Sequence, residues 1–179
     1  MTAAAGRVTR SREVWSVAAL LLGAVVAVSL GVFATVHTPS QSVPTFGFSS
    51  VLAMMVWLGA AAGGLAVVQL LTAVTMYTRG GRVVAVVHRA SGTLAVLLSL
   101  PVAYACLWSL GFADHNLRVL VHSLAGCLVY GALVTKLLAL HVPRMPSWLL
   151  PVAGSLLLTT VVASSLTSSL WFFAAFGSP

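Results

Sequence analysis

The chain predicts an all-α integral membrane protein: a bundle of five transmembrane helices with its N-terminus inside and its C-terminus outside. Three observations predict it. The residues are 60% hydrophobic and 6% charged, with a mean hydropathy of +1.07; a soluble domain carries about 25% charged residues, so lipid must be the solvent here. The apolar residues fall into five runs, and about 20 residues of helix suffice to cross a hydrocarbon core of about 30 Å. Basic residues stand at the ends of these runs and gather on alternate loops, as topology signals do.

The first run, about 14–36, follows Arg7, Arg10 and Arg12. It resembles a signal peptide in its flanks, but its apolar stretch is too long for an ordinary signal core, so it reads as a retained anchor. Residues 1–13 then form a basic cytoplasmic N-terminus, and 14–179 a single transmembrane domain. The second run, about 50–77, contains "GAAAGGLA" (Gly59–Ala66), a small-residue face that a neighbouring helix can approach closely. The third, about 83–112, opens after the "TRGGR" turn; Pro101 removes one of its backbone donors and predicts a kink. The fourth, about 117–142, ends at the "HVPRMP" turn. The fifth, about 148–173, carries Thr159, Thr160, Ser164, Ser165, Thr167, Ser168 and Ser169. Such residues line pores less often than they bond to backbone carbonyls or join helices, and the second reading is preferred.

Orientation follows from the loops. With the N-terminus inside, the Arg7–Arg12 cluster, Arg79, Arg82 and Arg144 all lie on the cytoplasmic side, while "HTPSQSVPTFGFSS" and "GFADHN" are nearly free of basic residues apart from Arg118. Trp15, Tyr77 and Trp148 fall at inner ends and Trp108, Phe112 and Trp171 at outer ends, as an interfacial belt requires. The short loops predict that consecutive helices are antiparallel neighbours. A multi-pass protein of a bacterial plasma membrane is expected.

Composition also excludes chemistry. The net charge of +7 is dispersed over helix ends, so nucleic acid is not an expected partner. Glu13 and Asp114 are the two acids, which leaves no carboxylate pair for acid–base or two-metal catalysis and no buried acid for a proton relay. Cys106 and Cys127 lie in apolar runs without C-x-x-C spacing and read as small buried residues.

What remains is histidine. "VVHRASG" and "LVHSLAG" each place a glycine four residues after a histidine, so His88 lies over Gly92 and His122 over Gly126. A buried imidazole without a partner costs several kcal/mol. Glycine beside it leaves room for a flat group, and imidazole is a standard axial ligand of haem iron; the alternative is close helix packing, with the ring bonded to Ser, Thr or a carbonyl. Counted from Asp114, His88 and His122 differ in depth by about 27 Å at about 1.5 Å per residue, too far to share one iron. His141 is level with His88, so an inner pair His88/His141 is one reading, and an interfacial role at a helix end is the other. For His122, His37, Met54 and Met55 lie at similar depth. Arg89 and Arg118 are each placed either to pair with haem propionates or to snorkel to the interface, and Lys136 can snorkel from the inner half.

The stretches "HRASGTLAVLLSLPVAYACLWSLGF", "RVLVHSLAGCLVYGALVTKLLAL" and "LTSSLWFF" resemble an uncharacterised family of bacterial polytopic membrane proteins, itself similar to b-type membrane cytochromes and ferric-reductase-like transmembrane proteins. The resemblance covers residues 83–173. It implies that His88 and His122 are the helix histidines of one or two haem b groups. It also implies a histidine where this chain has Ala105, so that an outer ligand has been lost or moved. The expected function is b-type cytochrome-like electron transfer beside a separate redox protein or respiratory complex, since the chain has no flavin or nicotinamide domain. The rival readings are a haem-free accessory subunit of a larger complex and, with only the Ser/Thr stripe behind it, a small-solute transporter. Homo-oligomerisation is compatible with each.

Overall fold

Five long helices form because each apolar run satisfies its own backbone hydrogen bonds, the requirement that lipid imposes on any spanning segment. The computed structural model describes residues 2–40, 43–143 and 145–179, with side chains from Arg12 onward. The helices are α1 (Thr2–Val36), α2 (Val51–Thr78), α3 (Arg82–Leu110), α4 (Leu117–His141) and α5 (Leu149–Phe176). All five are long and apolar enough to cross a membrane, and no strand occurs among the described residues. α1 begins at Thr2, so the backbone of the basic N-terminal segment continues the first helix. The side chains of Arg7 and Arg10, and Arg144 as a whole, lie outside the described residues.

Local chemistry sets the helix ends. Ser50 accepts from the Ala53 amide and Asn116 Oδ1 from the Val119 amide, both at 3.0 Å, so each side chain satisfies a donor that the first turn leaves free. Gly80 and Gly81, at φ 67° and 120°, form the turn between α2 and α3, a conformation costly for other residues. Both α3 and α5 contain a π turn, at Cys106–Leu110 and Leu166–Leu170. α3 continues as helix through Pro101.

The packing corrects the expectation that every consecutive pair would be neighbours. α2 packs along α3, and α4 along α5, as two hairpins. α1, however, packs on α4 rather than on α2, and α3 and α4 scarcely approach each other. The reason lies in side-chain size. Gly23 and Gly131 bring the backbones of α1 and α4 so close that a Cβ on Gly131 would stand 2.5 Å from the Gly23 carbonyl. Thr135 Oγ1 of α4 shares its proton in the same seam between the Gly131 carbonyl at 3.1 Å and the Ala19 carbonyl of α1 at 3.3 Å. Short loops still allow this arrangement, because the ends of α1 and α3 meet: the Phe112 amide donates to the Ala34 carbonyl at 2.9 Å.

The two hairpins join through α2 and α5. Here the small face of α2 receives serines: a Cβ on Gly59 would meet Ser169 Oγ at 2.5 Å, and one on Gly63 would meet Ser165 Oγ at 2.6 Å. Thr160, Thr167 and Ser168 donate to carbonyls of their own helix. Thr160, Thr167 and Ser168 of the α5 run thus bond to their own backbone, Ser165 and Ser169 pack on the glycines of α2, and the hydroxyls of Ser164 and Ser169 are buried without a hydrogen-bond partner.

This seam lies toward one end of the bundle. The buried residues of α2 are Ala53, Met54, Val56, Ala62 and Ala66; from there to Thr78 none is buried. The hairpins are thus joined near the α1–α2 and α3–α4 loops, called here the distal end. Toward the end that carries Arg79 and Arg82, called the basic end, α2 buries no further residue.

Candidate functional site

His88 sits on the inward face of α3. Ser99, eleven residues on and therefore on nearly the same face, is 3.0 Å from the Tyr130 hydroxyl of α4, and its carbonyl accepts from that hydroxyl at 3.0 Å. His88 Nδ1 lies 2.9 Å from Thr72 Oγ1 of α2. That hydroxyl already donates its single proton to the Val68 carbonyl at 2.7 Å, so its oxygen accepts from the ring. With the threonine proton on that carbonyl, a neutral His88 carries its own proton on Nδ1 and keeps the lone pair of Nε2. Gln69 Nε2 donates to the His88 carbonyl and, at 2.7 Å, to Ser91 Oγ.

His122 follows the same pattern on the other hairpin. Its Nδ1 lies 3.3 Å from Thr167 Oγ1 of α5, whose proton goes to the Ala163 carbonyl at 2.6 Å. His141 Nδ1 is 2.8 Å from the Leu137 carbonyl, one turn back on its own helix, and the ring is exposed. A carbonyl only accepts, so there too Nδ1 donates. His141 thus holds Nδ1–H on an oxygen and presents Nε2 as a lone-pair donor, and His88 and His122 do the same in the tautomer in which their threonine partners accept. This is the arrangement by which an imidazole ligand is oriented and made more basic toward a metal.

The structure attaches these rings to different partners, and no hydrogen bond or ring contact joins any two of them among the described residues. His88 and His141 do share a level, lying respectively eleven residues before Ser99 and eleven after Tyr130, the two residues that tie α3 to α4. The two glycines differ. A Cβ on Gly92 would meet the Gln69 side chain at 3.1–3.3 Å, so Gly92 makes room for Gln69. A Cβ on Gly126 would meet nothing within 4 Å, so open space lies beside it.

Arg118 reaches back to α5. Its Nη1 donates to the Thr167 carbonyl at 2.6 Å, and its guanidinium lies 3.6 Å from the centre of the Trp171 ring. A π turn interrupts the regular carbonyl ladder, and Arg118 and His122 both take up its freed or projecting oxygens at Thr167. Arg89 is exposed and lies with Val86, Ala90, Thr93, Leu94 and Leu97 along a groove on the face of α3 that points away from His88.

At the distal end, His37 stacks on Phe33 at 5.0 Å and lies 4.7 Å from Trp108, with Nε2 buried and without a partner. Met54 is fully buried, and Met55 touches Cys106 sulfur to sulfur at 3.8 Å. Ala105, where the resemblance implied a ligand, is wholly enclosed in the apolar cluster with Val43 and Met54. Sequence reasoning missed Gln69, Thr72 and Thr167 as partners of the histidines. The signal was present in α2, where Gln69 and Thr72 are three apart in an otherwise apolar run and share a face.

Residues 15–179 match a family of unknown function, DUF6529, and the chain belongs to it. No curated protein and no solved structure matches the chain.

Proposed function

We propose that this member of the DUF6529 family is a b-type cytochrome-like electron-transfer protein of the bacterial plasma membrane, oriented N-in and C-out, serving a separate redox protein. The observation that carries the reading is the state of the histidine rings. His88 and His122, each within an apolar helix, have Nδ1 at hydrogen-bond distance from a threonine oxygen, an arrangement that in the Nδ1–H tautomer leaves the Nε2 lone pair for a metal. Intramembrane ionisable groups are expensive and kept for function.

The histidines supply the donor chemistry a porphyrin needs, and beside His122 a Cβ on Gly126 would meet nothing within 4 Å. His88 would hold iron at the basic end, with His141 as the level candidate for the second ligand, and His122 would hold it at the distal end. A bound haem supplies one-electron redox chemistry. The chain's own residues then supply ring orientation through Thr72 and Thr167, and exclusion of water by the apolar bundle. Orientation rests on Arg79 and Arg82 at one end and the loops poor in basic residues at the other.

A second reading is favoured by a specific observation. The Thr167 π turn accounts for both Arg118 and His122, and Gln69 accounts for Gly92, as a haem-free accessory subunit would require. Absorption spectra of detergent-purified protein, oxidised and dithionite-reduced, separate the two. The expected result is a reduced b-type spectrum that His88→Ala removes or shifts while membrane insertion is unchanged. Colourless wild-type protein, isolated from haem-replete cells, favours the accessory subunit.

A further inference from the structure

Glu13 and Arg89 are opposite charges at one depth that this chain keeps apart. α1 and α3 run in the same direction, and the Phe33 ring lies 5.0 Å from Trp108 at their distal ends. Glu13 stands 20 residues before Phe33 and Arg89 stands 19 before Trp108, so at about 1.5 Å per residue the two are level. A second route agrees. The Gly23–Gly131 contact sets Glu13 level with His141, and the bond from Tyr130 to Ser99 sets His141 level with His88. The two charges nonetheless face different ways. Twenty residues turn a helix by about 200° net, so Glu13 lies on the face of α1 opposite Phe33 and away from α3. Both side chains are exposed, and neither has an ion pair among the described residues. Arg89 lines a groove on the outward face of α3, where Ala90 and Thr93 form a small floor and Leu94 and Leu97 a wall. Leu94 and Leu97 are 47% and 56% exposed, so no other helix of the chain covers them. α3 is the least covered span, with 6% of its most apolar stretch buried against 22–28% in the others. α1 carries a stripe that matches this groove. Val17 and Leu20, one and two turns after Glu13 on its face, are 53% and 42% exposed. Val17 stands 16 residues before Phe33 and Thr93 stands 15 before Trp108, so these too are level. Arg12 points about 100° off the stripe.

We propose that the α3 groove receives α1 of a second copy of this chain, with Glu13 of that copy paired to Arg89 and its Val17 and Leu20 seated over Ala90 and Thr93. Copies of one membrane protein share an orientation, so rotation about the membrane normal leaves every residue at its own depth. A second copy therefore meets the groove with its carboxylate at the depth of the guanidinium. The seam repeats what joins α1 to α4, a small-residue floor that lets a neighbouring helix come close. Groove and stripe are different surfaces, so each copy both gives and receives. Snorkelling and pairing make different demands on position 89. Snorkelling needs a long cation there, whereas pairing needs a charge opposite to that at position 13. The inference stands with or without haem.

The experiment has two arms. In the first, differently tagged copies, one with Val17→Cys and one with Thr93→Cys, are co-expressed with Cys106→Ala and Cys127→Ala in both, and membranes are treated with a short thiol cross-linker. The expected product carries both tags, and it disappears when Val28→Cys, 11 residues deeper on α1, replaces Val17→Cys. In the second, native mass spectrometry of full-length protein from nanodiscs of phosphatidylglycerol and phosphatidylcholine compares wild type with Glu13→Arg, Arg89→Glu and the two combined. Each single variant should weaken association about fivefold, and the exchange of charges should restore it. Linkage that is equal from Val17→Cys and Val28→Cys overturns the proposal, as does wild-type protein that is monomeric in both arms. An exchange no better than the single variants overturns it in favour of snorkelling. A monomer that retains phosphatidylglycerol, with the preference lost on Arg89→Gln, overturns it in favour of a lipid in the groove.

Discussion

Gly126 and Gly131, five residues apart on α4, should respond oppositely to the same added methyl group. At Gly126 a Cβ enters open space, with nothing within 4 Å. Gly126→Ala then gains the helix-propensity difference of about 1 kcal/mol and costs nothing in contacts. At Gly131 a Cβ would stand 2.5 Å from the Gly23 carbonyl and 3.0 Å from Ala27 Cβ. Both obstacles are backbone or next to it, so α1 must move. Overpacking of this kind costs about 1–3 kcal/mol. Parting the helices also weakens the Thr135 bond to the Ala19 carbonyl, where interhelical bonds in membranes average about 0.6 kcal/mol. Against a propensity gain of about 1 kcal/mol, Gly131→Ala should lose about 1–2 kcal/mol net. The assay is thermal unfolding in detergent of haem-free protein, followed by tryptophan fluorescence; each kcal/mol corresponds to about 2–4 °C for a chain of this length. Gly126→Ala should match or exceed wild type, and Gly126→Leu should lower haem uptake without lowering haem-free stability. A less stable haem-free Gly126→Ala would mean that a helix fills this space. A neutral Gly131→Ala would refute the account of why α1 sits on α4.

Three further outcomes are expected. Gln69→Leu removes the donors to the His88 carbonyl and Ser91 Oγ and should cost about 1 kcal/mol in detergent-based unfolding; an unchanged midpoint would show that the bonds contribute nothing. Thr72→Val takes away the acceptor of His88 Nδ1–H at almost constant volume, so haem affinity should fall about 10–100-fold with helix content by circular dichroism unaltered; equal affinity would sink the orienting role of Thr72. For topology, a membrane-impermeant thiol reagent applied outside intact cells should label Ser178→Cys and leave Gly80→Cys unlabelled, and the reverse pattern would overturn the N-in assignment.

The helices themselves were legible in the sequence, because crossing a bilayer depends on a sum of local hydropathies. The runs at about 50–77 and 117–142 appear as Val51–Thr78 and Leu117–His141. Depth was legible for the same kind of reason: a helix rises about 1.5 Å per residue, so counting sets His88 and His141 level and keeps His122 apart. Which helices touch was not legible. In lipid a helix is apolar on every face, so no amphipathic pattern marks the inward side. Partner choice falls to the fit of small residues far apart in the chain, such as Gly23 on Gly131 and Gly59 on Ser169. That fit puts α1 on α4, parts α3 from α4, and brings Thr72 to His88 and Thr167 to His122. It also separates two motifs that read alike, H-x-x-x-G at His88 and at His122. Gln69 occupies the place beside Gly92, while the place beside Gly126 stays open, and only the positions of the neighbouring helices decide between them.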